Sequence, residues 1–252
     1  MDLKYKSAML DVGNAAIPLY LQEPHQFIGA ICLVAFDLMK NQKLSLEELL
    51  LRLGSGAEQD RWREDLARSG LVDQIGEVLR SNGLERDMET PVGRKHKLAY
   101  CTLLYLLCRL VNPTVVVETG VGVGTSTAFI LQAMVDNNHG ELYSIEKVRD
   151  WRIGILVSER LRERWHLVSG GSRDKLPKLV ENKTVDVFIH DSEHSYRNMR
   201  FEYQTVWPKI RAGGYLLSDD VVSNFSFYKF MSAASISLAA VVDEFGIIKK
   251  ST

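Results

Sequence analysis

Three aspartates follow two short apolar runs rich in β-branched residues. Asp191 comes directly after VDVFIH, and Asp219 and Asp220 come directly after GGYLLS. If these runs are neighbouring strands of a parallel sheet, their carboxyl ends share one edge and the three carboxylates converge there. Such an oxygen-rich cluster suits a hard divalent cation such as Mg²⁺, and without a cation the three charges repel one another. We therefore predict a metal site at these aspartates. The alternative is that each one caps a helix.

Two candidate general bases lie on the turn just past Asp191. Glu193 and His194 are both close enough in sequence to reach a substrate bound at the predicted metal. A neutral imidazole is matched to proton transfer near pH 7, whereas a carboxylate is the weaker base. We favour His194 as the base and keep Glu193 as the alternative.

A glycine-rich stretch supplies the other candidate binding element. In VVVETGVGVGTS the apolar run ends at Glu118, and Gly120, Gly122 and Gly124 follow on alternate positions. Glycine lets the backbone turn sharply and lets a ligand approach closely, and a helix starting near Thr125 would point its free N–H groups at that ligand. The spacing fails the dinucleotide pattern G-x-G-x-x-G, and Glu118 would repel a pyrophosphate. The stretch therefore favours a ligand that carries a cation, although a glycine turn used only for packing remains the alternative.

The elements that position these residues alternate between strands and helices from about residue 112 onward. Strands are predicted at 114–118, 141–145, 166–168, 184–190 and 214–218, with helices at 125–135, 150–163 and 195–211. The tail 237–250 is predicted to be a hairpin, which makes the final strand antiparallel to its neighbour. The alternation predicts an α/β fold: a doubly wound, mostly parallel, seven-stranded Rossmann-like sheet with an antiparallel last strand.

The first part of the chain has helical periodicity instead. The residues Ser45 and Glu48 have the spacing of a capping box ahead of LEELLLRL. The apolar periodicity predicts one or two helices over residues 61–81, broken near Gly70, and a long apolar helix over residues 94–111. The apolar run Phe27–Phe36 is predicted to be a buried helix, because a bilayer span takes about 20 residues. We therefore divide the chain into an N-terminal helical segment, 1–95, serving as a cap or dimerisation surface, and a ligand-binding domain, 96–252.

Composition narrows the class of partner. The chain has 31 basic and 32 acidic residues, a formal net charge of −1, and three cysteines without C-x-x-C spacing. These values give no electrostatic argument for a nucleic-acid or membrane partner. The sparse cysteines argue against a zinc site or a disulfide framework and fit a reducing compartment. We expect a cytoplasmic protein with a small-molecule substrate, and its oligomeric state stays open.

The motifs together resemble a known family. The pattern E-x-G-x-G-x-G resembles the first motif of class I S-adenosylmethionine (SAM)-dependent methyltransferases. The sequence segments VVETGV…TS, HDSEHSY and GGYLLSDD resemble those of one group within that class (methyltransferase family 24 type). This group includes the macrocin and aminocoumarin-sugar O-methyltransferases and the cephalosporin-hydroxylase-like proteins. The resemblance covers residues 98–250.

The resemblance implies a role for each candidate residue. Glu118 would lie near the methionine ammonium of SAM, Ser126 would face its carboxylate, and Glu146, at the end of the second strand, would accept the ribose hydroxyls. The segment SGGSRDKLPKL resembles the adenine-side segment of the catechol group, which puts Ser172 and Arg173 beside the base. Asp191 would adjoin the cofactor. Relatives that need a metal hold it at the positions of Asp191, Asp219 and Asp220.

The sequence thus favours metal-assisted O-methylation of a hydroxyl on a sugar, polyol or natural product. Three alternatives stay open: a metal-independent N- or O-methyltransferase, a non-catalytic SAM-binding module, and a Rossmann-type oxidoreductase. The glycine spacing and the antiparallel tail argue against the oxidoreductase.

Overall fold

The computed structural model describes residues 44–54, 56–84 and 91–252, with the backbone alone described for 91–97. The helix predicted at Phe27–Phe36 lies outside the described residues. Residues 44–252 form one compact unit, so the helices between 44 and 84 pack in the same unit as the sheet. The proposed boundary at residue 95 stays a prediction.

Among the described residues, four helices precede the sheet: α1 Leu46–Leu53, α2 Gly56–Arg68, α3 Leu71–Ser81 and α4 Pro91–Val111. The predicted capping box is present, since the Glu48 amide donates to Ser45 Oγ at 3.2 Å and the Ser45 amide donates to Glu48 Oε2 at 2.8 Å. Gly70, with φ +69°, separates α2 from α3 as predicted. No helix among the described residues is both long and apolar enough to cross a membrane.

The sheet has the predicted topology. Its strands are β1 Val115–Thr119, β2 Glu141–Glu146, β3 Trp165–Ser169, β4 Val185–His190, β5 Ile210–Ser218, β6 Ile236–Val242 and β7 Phe245–Lys250. They lie in the order β3-β2-β1-β4-β5-β7-β6. The first five are parallel, and β7 runs antiparallel to both β5 and β6. Strand order reverses beside β1, so the exits of β1 and β4 form the crevice where such sheets bind ligands.

Five further helices connect the strands: α5 Thr125–Asn137, α6 Glu159–Arg162, α7 Ser172–Val180, α8 Tyr196–Val206 and α9 Ser226–Ala233. The predicted helix at 195–211 is too long. It ends at Val206, a 3-10 turn at Trp207–Lys209 follows, and β5 begins at Ile210. Pro208 contributes to this end, because proline has no backbone N–H to donate to the carbonyl four residues earlier.

The predicted helix at 150–163 is wrong. Residues 151–156 form turns, and only the single helical turn α6 follows. The backbone of this segment bonds to the glycine loop instead, with the Gly154 amide donating to the Gly122 carbonyl and the Leu156 amide to the Val123 carbonyl, both at 3.0 Å. Gly154 also adopts φ +65°, a conformation incompatible with a helix. The loop after β2 is therefore attached to the loop after β1.

Candidate active site

The glycine turn after β1 is fixed by its neighbours. Gly120 has φ +85°, and a Cβ there would collide with the backbone carbonyl of Asp191. Gly122 has φ +52°, but a Cβ there would meet no atom within 4 Å. Gly120 is thus required by the contact between the exits of β1 and β4. Gly122 borders open space and is the glycine that a bound ligand can approach.

Glu118 lies behind this turn rather than in the open space. Its carboxylate is fully buried and accepts hydrogen bonds from Ser126 Oγ (2.9 Å), Thr127 Oγ1 (2.9 Å) and Ser144 Oγ (2.7 Å). Burial raises the pKa of Glu118 to about 7 despite these three donors. Ser126, predicted to face a ligand carboxylate, instead bonds to Glu118. The hydroxyl of Thr125 is buried and has no hydrogen-bond partner within the described part of the chain.

Glu146 at the end of β2 organises two loops. Its Oε2 accepts from the amides of Val121 (2.9 Å) and Gly122 (3.2 Å), and its Oε1 accepts from the amide of Val148 (2.7 Å). The side chain also lines the cavity in front of the glycine turn. A carboxylate held in this way is fixed in place and keeps lone pairs for hydroxyl donors in the cavity.

The cavity at this edge measures about 570 Å³, which suits a small-molecule cofactor. Seven sequence-predicted residues line it: Gly120, Gly122, Glu146, Ser172, Arg173, Asp191 and Glu193. Glu118, Gly124 and Ser126 do not line it. Lys147, Val148, Ser192 and Asn198 do, although the sequence analysis did not select them.

The acidic edge differs in one member from the predicted metal set. Side-chain donor atoms of Asp191, His194 and Asp219 all lie within 4.8 Å of one another. Asp220 is outside this group; its φ is +50° and its Oδ2 lies 3.6 Å from Nδ1 of His194. The backbone turn directs neighbouring side chains apart, so two consecutive aspartates do not present their carboxylates to the same point.

His194 occupies the centre of this edge. Its Nε2 lies 3.7 Å from Asp191 Oδ1 and has no hydrogen-bond partner within residues 44–54, 56–84 and 91–252. Burial, followed by the charge of His190, lowers the pKa of His194, although the nearby carboxylates oppose this shift. Glu193 is exposed at the cavity wall, and its carboxylate accepts a 2.7 Å hydrogen bond from Ser195 Oγ. Both candidate bases thus adjoin the acidic cluster.

A buried acid that the sequence analysis did not find supports this edge. Glu202, on α8, accepts from His190 Nδ1 (2.6 Å), Thr119 Oγ1 (2.5 Å), Ser192 Oγ (2.7 Å) and Asn198 Nδ2 (2.9 Å). Burial raises its pKa, but the hydrogen bond and charge of His190 and the surrounding hydroxyls outweigh burial and lower the pKa to about 2. The sequence signal is an acid on the apolar face of a helix, where only a buried partner would stabilise it.

The His190 ring connects this network to His194. The two rings meet edge to face with centroids 5.3 Å apart. His190, the last residue of β4, is fully buried. Glu202 therefore links the ends of β1 and β4 and holds the His190 ring, which contacts the His194 ring.

Residues 117–221 match a family model described as a methyltransferase domain. None of the curated proteins compared with the chain matches it.

Solved structures share the fold at low identity. A Klebsiella pneumoniae protein named as a candidate O-methyltransferase is 20% identical with a TM-score of 0.55, over 71% of this chain and 90% of that one. The Streptomyces achromogenes O-methyltransferase TomG, in complex with SAM, is 18% identical with a TM-score of 0.53, over 77% and 99%. A Bacillus cereus O-methyltransferase bound to S-adenosylhomocysteine (SAH) is 17% identical with a TM-score of 0.52, over 71% and 91%. These likenesses establish the fold alone.

Proposed function

We propose that this chain, whose residues 117–221 match a methyltransferase domain, is a SAM-dependent methyltransferase. Its substrate is a hydroxyl group of a small molecule such as a sugar, polyol or natural product, and a divalent cation assists the transfer. The observation that carries this proposal is the convergence of Asp191, His194 and Asp219 beside the cavity. Two carboxylates and an imidazole there can bind a cation, orient a hydroxyl and accept its proton.

The cavity is where we propose that the cofactor binds. SAM supplies the methyl group when bound. Glu146 would accept the ribose hydroxyls, because its carboxylate is already fixed by three backbone amides. Ser172 and Arg173 at the start of α7 would border the adenine. The hydroxyl of Thr125, which has no hydrogen-bond partner among the described residues, and the N-terminus of α5 would bind the methionine carboxylate. The hydrogen bond between Ser126 and Glu118 argues against this role for Ser126.

The donor set fits a divalent cation. The oxygens of Asp191 and Asp219 converge with a ring nitrogen of His194. Nε2 of His194 is buried and has no hydrogen-bond partner among the described residues. Asp191 and Asp219 would hold the ion, which when bound would favour the ionised form of an acceptor hydroxyl. Asp220, included in the set predicted from the sequence, contributes differently in this proposal. It faces Nδ1 of His194 and orients the ring.

We assign proton removal to Nε2 of His194. That atom points toward the acidic edge, where an acceptor oxygen would lie, while Asp220 and the His190 ring limit the orientations of the imidazole. Glu193 is the alternative base. Its carboxylate is exposed and already accepts from Ser195, and this geometry suits it better to contact with the substrate at the cavity wall.

Binding and turnover test these assignments separately. Calorimetry should detect SAH and should not detect NAD; binding of NAD without SAH would refute the cofactor assignment. Methyl transfer from labelled SAM to a panel of sugar, polyol and catechol acceptors should stop in excess chelator and return with Mg²⁺ or Mn²⁺. Asp219→Asn should lower metal affinity and rate while SAH affinity stays within about twofold, because Asp219 does not line the cavity. Full turnover in chelator would favour the metal-independent alternative.

Two single substitutions test which residue is the general base. His194→Ala should lower turnover by about 10²–10⁴-fold without changing SAH affinity. Glu193→Gln should retain most of the rate. The opposite pattern would transfer the role of base to Glu193.

A further inference from the structure

A second cavity lies beside the cofactor cavity and shares Arg173 and Glu193 with it. It measures about 790 Å³ and is lined by residues of α7, of α8 and of the loop between β4 and α8. Its charged lining residues are three arginines and one acid: Arg173, Arg197, Arg200 and Glu193. We call this cavity the arginine groove. None of the roles assigned above uses Arg197 or Arg200.

The sequence of α8 places two of the arginines on one face of the helix. Four residues of α8 that line the groove have the spacing i, i+3, i+4, i+7 of a single helix face: Arg197, Arg200, Phe201 and Gln204. Other positions of the helix, among them Met199 and Tyr203, are buried in the protein. The groove therefore lies along the outward face of α8.

The positive charge of the groove is not neutralised by the protein. Arg197 and Arg200 are exposed, and neither side chain forms a hydrogen bond or an ion pair with any residue that the structure describes. The Glu193 carboxylate accepts from Ser195 Oγ at 2.7 Å and, within the described ranges, forms no ion pair with an arginine. In a chain whose formal net charge is −1, this surface thus concentrates positive charge that attracts an anion.

The guanidinium of Arg173 is already fixed at the groove. Its Nη2 donates to the Arg197 carbonyl at 3.1 Å, and its Cζ lies 5.0 Å from the centroid of the Phe201 ring. A guanidinium has five N–H donors, so Arg173 keeps donors for a ligand. Because its orientation is set before binding, it loses less side-chain entropy when a ligand arrives.

The proposed cofactor has no group that needs this charge. Its one anionic group is the methionine carboxylate, which we assign to Thr125 and the N-terminus of α5. The ribose and the adenine, which we place near Glu146 and Ser172, carry no negative charge. The arginine groove is therefore not explained by the cofactor, although it adjoins the cofactor cavity.

The groove also lies close to the proposed general base. Glu193 and Ser195, which line the groove, flank His194 in the chain. Consecutive Cα atoms are about 3.8 Å apart, so the mouth of the groove and the proposed base are within the span of one small molecule. An acceptor with its hydroxyl at His194 can thus extend a substituent into the groove.

We propose that the acceptor carries a phosphate or diphosphate group and that the arginine groove binds this group. This inference rests on the proposed function and names the class of its substrate, a phosphorylated sugar or polyol. A phosphate monoester has a charge of about −1.5 to −2 at pH 7 and three acceptor oxygens, which match several guanidinium groups better than a single carboxylate does. Guanidinium donors bind phosphate oxygens in pairs, and this geometry favours arginine over lysine.

Binding of inorganic pyrophosphate tests the groove without any turnover. The measurement is calorimetry in metal-free buffer at low ionic strength, where no cation at the acidic edge can bind the anion. The variant is Arg197→Gln combined with Arg200→Gln, at two exposed positions outside the cofactor cavity. The control with the same change in charge combines Arg61→Gln and Arg63→Gln, at exposed positions of α2 that line neither cavity.

The wild type and the control should bind pyrophosphate with affinities within about twofold of each other. The groove variant should bind it at least about 10-fold more weakly, since charge-assisted hydrogen bonds are lost, and should keep the wild-type affinity for SAH. Absence of pyrophosphate binding in the wild type, or equal binding in the groove variant, would overturn the inference.

Methyl transfer from labelled SAM distinguishes a phosphate on the acceptor from a free anion. The acceptors are a sugar, its 1-phosphate and its nucleoside diphosphate ester. The wild type should prefer the phosphorylated acceptors by at least about 10-fold in kcat/KM, and the groove variant should lose this preference through a higher KM with little change in kcat. Pyrophosphate binding without any preference among the acceptors would indicate a site for a free anion and would refute the substrate class. Failure of the proposed function would look different, because SAH binding or all methyl transfer would then be absent.

Discussion

Replacing Glu118 with glutamine should change how the stability of this protein depends on pH. The carboxylate is fully buried and is surrounded by the hydroxyls of Ser126, Thr127 and Ser144. A hydroxyl can donate or accept, so these three groups can reorient around a glutamine amide. Glu118→Gln therefore keeps the shape and the hydrogen bonds and removes only the ionisation.

The magnitude follows from the pKa of the buried acid. Its value rises from 4.5 to about 7 in the folded protein. A group with a raised folded pKa binds its proton more tightly in the folded state. Its stabilising contribution is therefore complete below pH 4.5 and is lost as the pH rises through 7. At about 1.4 kcal/mol per pH unit, the wild type should lose ~3 kcal/mol across this window from Glu118 alone.

Urea unfolding at a series of pH values between 4.5 and 8 measures this loss. All other ionisations are common to both proteins and cancel in the difference between them. Glu118→Gln should match the wild type near pH 5 and be ~3 kcal/mol more stable at pH 8, a rise in melting temperature of about 6–12 °C for a unit of this size. Glu159→Gln, at a side chain that is 95% exposed, is the control and should leave the profile unchanged. Parallel profiles for wild type and Glu118→Gln would refute the reasoning.

Three further substitutions test the rest of the site. Gly122→Val should fold with a loss of about 1–2 kcal/mol, because its φ is left-handed but its Cβ meets open space, and calorimetry should detect no SAH binding; normal affinity would exclude the cavity as the cofactor site. Glu146→Gln should weaken SAH binding about 10-fold, since the amide nitrogen cannot accept from the Val148 amide or from a ribose hydroxyl; unchanged affinity would contradict its role. Glu202→Gln should lower the unfolding free energy at pH 7 by about 2–4 kcal/mol and flatten the loss of stability as the pH falls from 4.5 toward 2, because the folded pKa is depressed to about 2; an unchanged acid-unfolding curve would contradict this.

Much of the fold could be predicted because local patterns encode it. The β-branched runs, the breaks between them and the hairpin tail predict all seven strands. Right-handed crossovers limit the orders that these strands can adopt in a doubly wound sheet, and the structure shows which order is formed. Where the prediction fails, a tertiary contact outweighs the local signal. Residues 150–163 have helical periodicity, but hydrogen bonds from Gly154 and Leu156 to the glycine loop replace the helix.

For the candidate site, the sequence predicted which strand ends carry acids and glycines. Acids and glycines at the ends of β1, β2, β4 and β5 identify the edge of the sheet that carries the candidate site. The end of each strand can be located from the local sequence, and parallel strands bring their carboxyl ends to the same edge. The sequence could not determine where side chains point beyond each exit. A rotation of one residue in a turn redirects a carboxylate, so Asp220 faces His194 instead of joining Asp191 and Asp219.

Contacts between residues distant in sequence were decided by the tertiary structure alone. Burial behind the glycine turn raises the pKa of Glu118 to about 7. Packing of α8 against the sheet pairs Glu202 with His190, whose ring contacts that of His194. The same packing buries the hydroxyl of Tyr100 without a hydrogen-bond partner among the described residues. Residue identity and spacing thus determined the fold and the edge of the sheet at which the candidate site lies. The orientation, burial and protonation of the groups at that edge depend on desolvation and on neighbours that only the folded chain brings together.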